Sequence, residues 1–253
     1  MTTAVQVEGL FFGYDQRPLL KGVNLEVPSG SLTVLLGKNG SGKSTLLRLM
    51  GGLLPFEKGR VSLLGKDVRR ISPSERAGLV GFLPQFHHPV FPFTVEEVVL
   101  TGRAAQVFFL PGKKDREKVR QALEALGLMD FRDRPYNELS GGERQLVMVA
   151  RVLAQDPRII LLDEPLSHLD LANQVRLLRL LKDLTARGLT VLVVLHDPNT
   201  AVLYGDQVLF LKEGRILSPE KGRGPWEASF LSEVYDTPLI TLPFKDRCLV
   251  LPG

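Results

Sequence analysis

Nine consecutive residues hold the densest chemistry: Gly37, Lys38, Asn39, Gly40, Ser41, Gly42, Lys43, Ser44 and Thr45. They fit G-x-x-x-x-G-K-[ST]. Glycines let the backbone wrap closely and turn successive N–H groups inward, which makes a nest for an anion. A helix starting near Lys43 adds its positive dipole end at the same point. The Lys43 ammonium reaches β- and γ-phosphates, and the Ser44 hydroxyl ligates Mg²⁺. The stretch therefore reads as a loop that holds the phosphates of a nucleotide.

A second stretch, Leu139, Ser140, Gly141, Gly142, Glu143, Arg144 and Gln145, places two glycines after a serine and opens an apolar helix. That is another helix N-terminus suited to an anion. One nucleotide does not fill two separate nests in one chain, so the second nest is expected to serve the nucleotide of a second copy. Asp163 and Glu164 stand at the end of the apolar run from Ile159 to Leu162. A carboxylate there holds the Mg²⁺ shell, and its neighbour orients or deprotonates water opposite the γ-phosphate. Gln85 and His196 also follow apolar runs. Taken alone, Gln85 reads first as an ordinary loop residue and His196 first as a structural histidine. His87 and His88 are expected as loop residues, since no cysteine or carboxylate beside them completes a metal site.

The elements that position these groups are legible in part. Residues 31–36 predict a short buried strand before the phosphate loop, and Leu46, Leu47, Leu49 and Met50 give the helix after it an apolar face. Residues 5–10 and 19–27 predict strands of a small antiparallel sheet, the second ended by Pro28, Ser29 and Gly30. Residues 59–65 predict a strand and turn, and 79–84 a further strand. Thr94 with Glu97 predicts a capping box, and Val119, Leu123 and Leu126 give residues 113–128 an amphipathic stripe. Phe91 and Phe93 beside that cap either dock another protein or fold inward as a staple. Residues 158–165 and 189–195 predict strands, 173–184 a helix and 207–216 a hairpin. Beyond Gly224 the pattern is weak, with at most one added strand in 240–251.

The residues in this order resemble an ABC transporter ATPase over nearly the whole chain. The phosphate loop from Gly37 to Thr45, Gln85 of the Q-loop, the Leu139 to Gln145 signature, Asp163 and Glu164, the D-loop Ser167, His168, Leu169 and Asp170, and the switch His196 follow the family's sequence of motifs. Tyr14 falls where that family stacks adenine. Departures are mild: Lys38 stands where proline is usual, His168 where alanine is common, and Pro198 follows the His-Asp pair. The resemblance implies an α/β fold, a P-loop NTPase (RecA-like) core with a small N-terminal antiparallel β subdomain and an inserted helical subdomain. Residues 1–88 and 150–220 would form the core, 89–149 the helical subdomain and 221–253 a tail. It implies ATP and Mg²⁺, with Ser44, Gln85 and Asp163 on the metal and Glu164 and His196 catalytic. It further implies a head-to-tail homodimer on integral membrane permease subunits, with a substrate-binding protein acting through them. Residues 94–103 and 230–235 are similar to importers of iron–siderophore, haem and cobalamin. Importers of zinc, manganese or molybdate are the alternative.

Composition bounds the remaining classes. The 253 residues are 44% hydrophobic, enough for a substantial core. A single cysteine, Cys248, forms no internal disulfide and suits a reducing compartment. No stretch marks a signal peptide, and the longest apolar runs fall far short of the ~18 residues of a membrane span. A peripheral protein on the cytoplasmic face of the cell membrane is expected. The net charge of +4 is scattered without a basic block, so no nucleic-acid partner is expected. The phosphate loop occurs once, and no long coiled-coil insertion is present, which argues against the ABC ATPases of DNA repair and translation. A monomeric P-loop kinase or GTPase would leave residues 139–145 unexplained, and an exporter half would normally be fused to membrane spans.

Overall fold

The computed structural model describes residues 2–15, 17–85, 93–107, 110–220 and 224–253. In chain order, strands β1 (Thr3–Tyr14), β2 (Arg17–Pro28) and β3 (Leu32–Leu36) precede helix α1 (Lys43–Met50). Next come β4 (Lys58–Leu63), β5 (Lys66–Asp67), α2 (Pro73–Leu79) and β6 (Val80–Leu83). Helices α3 (Val95–Leu100), α4 (Lys113–Leu126) and α5 (Gly141–Ala154) follow, then β7 (Ile159–Asp163), α6 (Leu171–Ala186), β8 (Thr190–Val194) and α7 (Pro198–Tyr204). The chain closes with β9 (Gln207–Lys212), β10 (Arg215–Leu217), α8 (Ala228–Tyr235), β11 (Leu239–Phe244) and β12 (Arg247–Pro252). Two compact units result: Met1–Arg70 with Leu192–Gly253, and Ile71–Val191.

In the first unit, the expected antiparallel sheet has the order β2-β1-β4-β5. Val5 faces Val27 on one side and Leu63 on the other. β1 alternates from Val5 to Glu8, so Val5 and Val7 are buried and Gln6 and Glu8 are not, and a register shift after Val7 brings Leu10 to the buried side. β3 is buried at all five positions and pairs in parallel with β9, Val34 opposite Val208. Such a run, buried on both faces and polar only at Thr33, whose hydroxyl donates to Gln207 Oε1 at 3.0 Å, is what a covered parallel strand requires. Leu195 N donates to Leu35 O at 3.3 Å, which sets the end of β8 beside β3. Phe210 of β9 anchors the C-terminal part through edge-on contacts with Trp226 and Phe230.

In the second unit, β6 and β7 pair in parallel, Val80 opposite Ile159. Helix α3 carries the predicted capping box: Thr94 Oγ1 accepts from Glu97 N at 3.3 Å and Glu97 Oε2 accepts from Thr94 N at 2.8 Å. α4 buries Val119, Leu123 and Leu126 as the stripe predicts. Helices α2, α7 and α8 are absent from the elements read in the sequence. α2 buries none of its residues and rests on the Ser72 cap and Pro73 at its first position. α8 has no side-chain cap, although Phe230, Leu231 and Val234 bury one face. Residues 240–251 supply two strands rather than one, closed as the hairpin β11–β12.

Candidate functional site

The phosphate loop runs from the end of β3 to α1 in the first unit. Gly37 has φ 146°, and a Cβ there would lie 2.1 Å from Leu211 O of β9, so only glycine fits. Gly42 caps α1 in the left-handed region, φ 105°. Lys43 is 5% exposed, and its ammonium donates to Gly37 O at 2.8 Å and Lys38 O at 2.9 Å. The loop is thus closed by its own lysine. The Ser41 hydroxyl is buried without a hydrogen-bond partner among the described residues. A buried hydroxyl left unpaired costs about 1–3 kcal/mol, and a phosphate oxygen is the acceptor this loop is shaped to offer it. Gly40, φ 79°, opens onto free space, and Asn39 is exposed. Tyr14 is about half exposed, packs edge-on against Phe12 at 5.0 Å and places its hydroxyl 3.5 Å from Thr45 Oγ1. One face of its ring therefore remains available to a flat base.

His196 follows β8 in the same unit and is exposed. It shares a cavity of about 550 Å³ with Gly37, Lys38 and Asn39 of the phosphate loop and with Tyr235 and Leu239 of the tail. Pro198 occupies the first turn of α7, where its missing N–H costs nothing, and Asp197 caps that helix by accepting from Asn199 N and Thr200 N at 3.0 Å each. The departure at residue 198 is therefore a helix start.

In the second unit, β7 ends on Asp163, which is fully buried. Glu164 follows in the left-handed region with φ 53°, a conformation that costs a non-glycine residue about 1–2 kcal/mol. Gln85, just past β6, donates from Nε2 to Glu164 Oε2 at 2.7 Å. The parallel pairing of β6 with β7 brings these two residues together across 79 positions. The amide fixes the direction of the carboxylate and keeps its own oxygen turned elsewhere.

The signature opens α5 through a second capping box. Ser140 Oγ accepts from Glu143 N at 3.3 Å, and Glu143 Oε2 accepts from Ser140 N at 2.7 Å. The Ser140 hydrogen bonds hold the Glu143 carboxyl below its usual range. Leu139 is buried, Arg144 donates to Asn137 O at 2.8 Å, and Gln145 donates to Pro165 O at 3.2 Å. The D-loop folds directly onto this turn. A Cβ on Gly142 would meet His168 O at 2.9 Å, and one on Gly141 would meet the His168 side chain at 3.6 Å. His168 itself has φ 67°. Leu169 is buried, Ser167 N donates to Glu164 O at 3.2 Å, and Asp170 caps α6 by accepting from Asn173 N at 2.8 Å. The D-loop is thereby tied at one end to Glu164 and at its middle to the signature.

His87, His88, Phe91 and Pro92 lie outside the described residues; Phe93 is about half exposed. The sequence reading missed Asp236. Its carboxylate accepts from Lys38 Nζ at 3.2 Å and Lys212 Nζ at 2.7 Å, and these bonds hold it below the usual carboxylate range. It also missed Tyr235, whose buried hydroxyl has no partner among the described residues and whose pKa is pushed up by burial and by Asp197. The one local clue was Lys38 itself, a cation where the resembled family usually has proline.

Comparison with known proteins agrees with this arrangement. A model of the ABC transporter family matches residues 20–167. A Bacillus subtilis ABC transporter ATP-binding protein is 43% identical over 242 residues, covering 94% of this chain; this chain spans 55% of that protein's length. A Helicobacter pylori (strain J99) protein, named a probable iron chelatin transport ATP-binding protein, is 37% identical over 97% of this chain and 98% of its own length. A hemin import ATP-binding protein of Streptomyces coelicolor is 41% identical over 90% of this chain and 81% of its own. Among solved structures, a chain of an inward-facing ABC transporter, assigned to the metal-chelate type, superposes with a TM-score of 0.85 at 32% identity, covering 100% of this chain and 98% of that one. A dimeric, post-hydrolysis ATP-binding cassette bound to ADP and Pi gives 0.77 at 30% identity, covering 87% and 99%. With its phosphate loop, paired carboxylates and signature turn in the family's order, the chain belongs to the ABC transporter family as an ATP-binding cassette with ATPase chemistry.

Proposed function

We propose that this chain is the ATP-hydrolysing subunit of an importer for a metal chelate, an iron–siderophore, haem or cobalamin. The catalytic part rests on one observation: Gln85 holds the Glu164 carboxylate at 2.7 Å beside the buried Asp163. The cargo is supported by the iron chelatin and hemin relatives and by the metal-chelate structure. Tyr14 stacks the adenine, and residues 37–45 hold the phosphates, Ser41 gaining the acceptor it lacks. Lys43 exchanges its two loop carbonyls for phosphate oxygens. Mg²⁺ would be held by the Ser44 hydroxyl, the Gln85 amide oxygen and the Asp163 carboxylate, hard oxygens of the kind it takes. When bound, it neutralises charge on the β- and γ-phosphates. Glu164 takes a proton from the attacking water, the new bond forms to the γ-phosphorus, and the bond to the β–γ bridging oxygen breaks to leave ADP. His196 steadies the γ-phosphate.

A second copy contributes residues 139–145 to the same nucleotide, with the D-loop 167–170 alongside. The chain works as this homodimer, peripheral on the cytoplasmic face, against integral permease subunits that a substrate-binding protein feeds. Opening and closing moves the block around Gln85 to Arg103, and with it the permease. The decisive variant is Glu164→Gln with ATP and Mg²⁺. It should bind ATP, lose at least ~100-fold in turnover and accumulate as a dimer in sedimentation; wild-type turnover would remove Glu164 from its role. Vesicles carrying the permease and binding protein should then take up an iron chelate in preference to free zinc or molybdate.

A further inference from the structure

The phosphate loop is fixed at its two ends. Gly37 lies against Leu211 O of β9, and Lys43 opens α1. Its tip is less supported. Asn39 is exposed, Gly40 faces open space and the Ser41 hydroxyl has no partner among the described residues. Lys38 O accepts from Ser41 N at 3.3 Å and from Lys43 Nζ at 2.9 Å, but both bonds stay inside the loop. Among the described residues, one hydrogen bond joins residues 38–41 to the chain outside the loop. Lys38 Nζ donates to Asp236 Oδ2 at 3.2 Å, from the tail.

The tail presents that carboxylate rigidly. Helix α8 buries Phe230, Leu231 and Val234, and Phe230 packs edge-on against Phe210 of β9 at 5.1 Å. Asp236 ends the helix in the left-handed region, φ 49°. The turn closes through Thr237 N to Ser232 O at 3.3 Å, and Ser232 Oγ accepts from Leu239 N at 2.9 Å. Lys212 holds the second carboxylate oxygen, Nζ to Oδ1 at 2.7 Å, and also donates to Glu233 O. Two neighbours on β9 therefore support the loop, Leu211 beneath Gly37 and Lys212 through Asp236. An isolated ion pair with both ends half exposed contributes little, because two flexible side chains must be ordered to make it. Here the carboxylate is already anchored, and only Lys38 has to be ordered. A tip without this tie would lose its backbone freedom at the moment nucleotide arrives, and binding would be weaker by that entropy. The tie orders the tip beforehand.

We propose that Asp236 is a positioning residue for the phosphate loop: through Lys38 it holds the tip of the nest in its binding shape, so the C-terminal tail sets the affinity for nucleotide. The inference rests on residues 37–45 holding the phosphates. The test uses the full chain, titrated by calorimetry with ADP and with a non-hydrolysable ATP analogue, and assayed for steady-state turnover of ATP. Asparagine tolerates the left-handed backbone as aspartate does, so Asp236→Asn keeps the turn and removes only the charge. It should weaken both nucleotides about three- to fivefold. The KM for ATP should rise by the same factor with little change in kcat, a split that a general loss of folded protein does not give. Lys38→Met should weaken both nucleotides alike, and the double variant should bind no worse than either single one, since both remove the same tie. Unchanged affinity in Asp236→Asn, or losses that add in the double variant, overturns the proposal. So does tighter binding of the analogue by Asp236→Asn together with a loss confined to the analogue in Lys38→Met, because Lys38 is then a γ-phosphate ligand that Asp236 holds back. Lys43→Ala separates the premise from the inference. If it binds nucleotide normally, the phosphate-loop reading falls and this inference with it; if it does not bind and Asp236→Asn changes nothing, only this inference falls.

Discussion

Ser41 sets two demands against each other. Its hydroxyl is buried in the phosphate loop without a partner, a penalty of about 1–3 kcal/mol. Ser41→Ala removes that penalty and the donor together. The nucleotide-free protein should therefore melt at a higher temperature while its ATP affinity falls several-fold; calorimetry and nucleotide titration on one sample check both signs. A hydroxyl serving only the fold would move the two in the same direction. This residue, like Lys43 and Ser44, was legible from motif spacing, because the chemistry of a phosphate nest dictates residue types locally. Asp236 was not legible. Its bond to Lys38 spans 198 positions, and nothing in the residues around either end announces the other.

Among elements, the capping box of Thr94 with Glu97 was readable because it completes its bonds within four residues; that of Ser140 with Glu143 has the same spacing and was passed over for the anion-binding turn it forms. The seat of His168 was not readable, since the D-loop meets the signature turn only after β7 has folded. That contact makes a prediction. Gly142→Ala puts a Cβ 2.9 Å from His168 O, so the turn and the D-loop must part. ATP binding to the phosphate loop should persist and turnover should fall at least ~10-fold, a split between nucleotide affinity and kcat that equilibrium binding and steady-state rates resolve. The edge of the antiparallel sheet responds to acid. Asp67 pairs with Arg69 at 2.8 Å, and its hydrogen bonds to Arg69 lower its pKa from 3.8 to about 2. A depressed carboxylate stabilises the fold above its unfolded value and loses that contribution as pH falls through the folded one. Wild type should thus lose stability between about pH 4 and pH 2 more steeply than Asp67→Asn, as denaturant melts across that range will show.

At the scale of the whole molecule, the two units divide the labour. The first holds the phosphate loop, His196 and the tail; the second holds Gln85, Asp163, Glu164 and the signature. Fold class and motif order were readable because covered parallel strands such as β3 and β7 are buried at every position, carry almost only apolar residues along their length and deliver polar residues at their ends. The tail was unreadable because α8 lacks a cap and the hairpin's outward face is apolar where alternation predicts polar residues. The left-handed backbone at Glu164 has a consequence over generations. Glycine or asparagine at that site would relax a strain of about 1–2 kcal/mol and erase the carboxylate. Drift alone therefore pulls the position away from glutamate, and only continued demand for turnover keeps it there. A descendant freed from hydrolysis should lose this acid early.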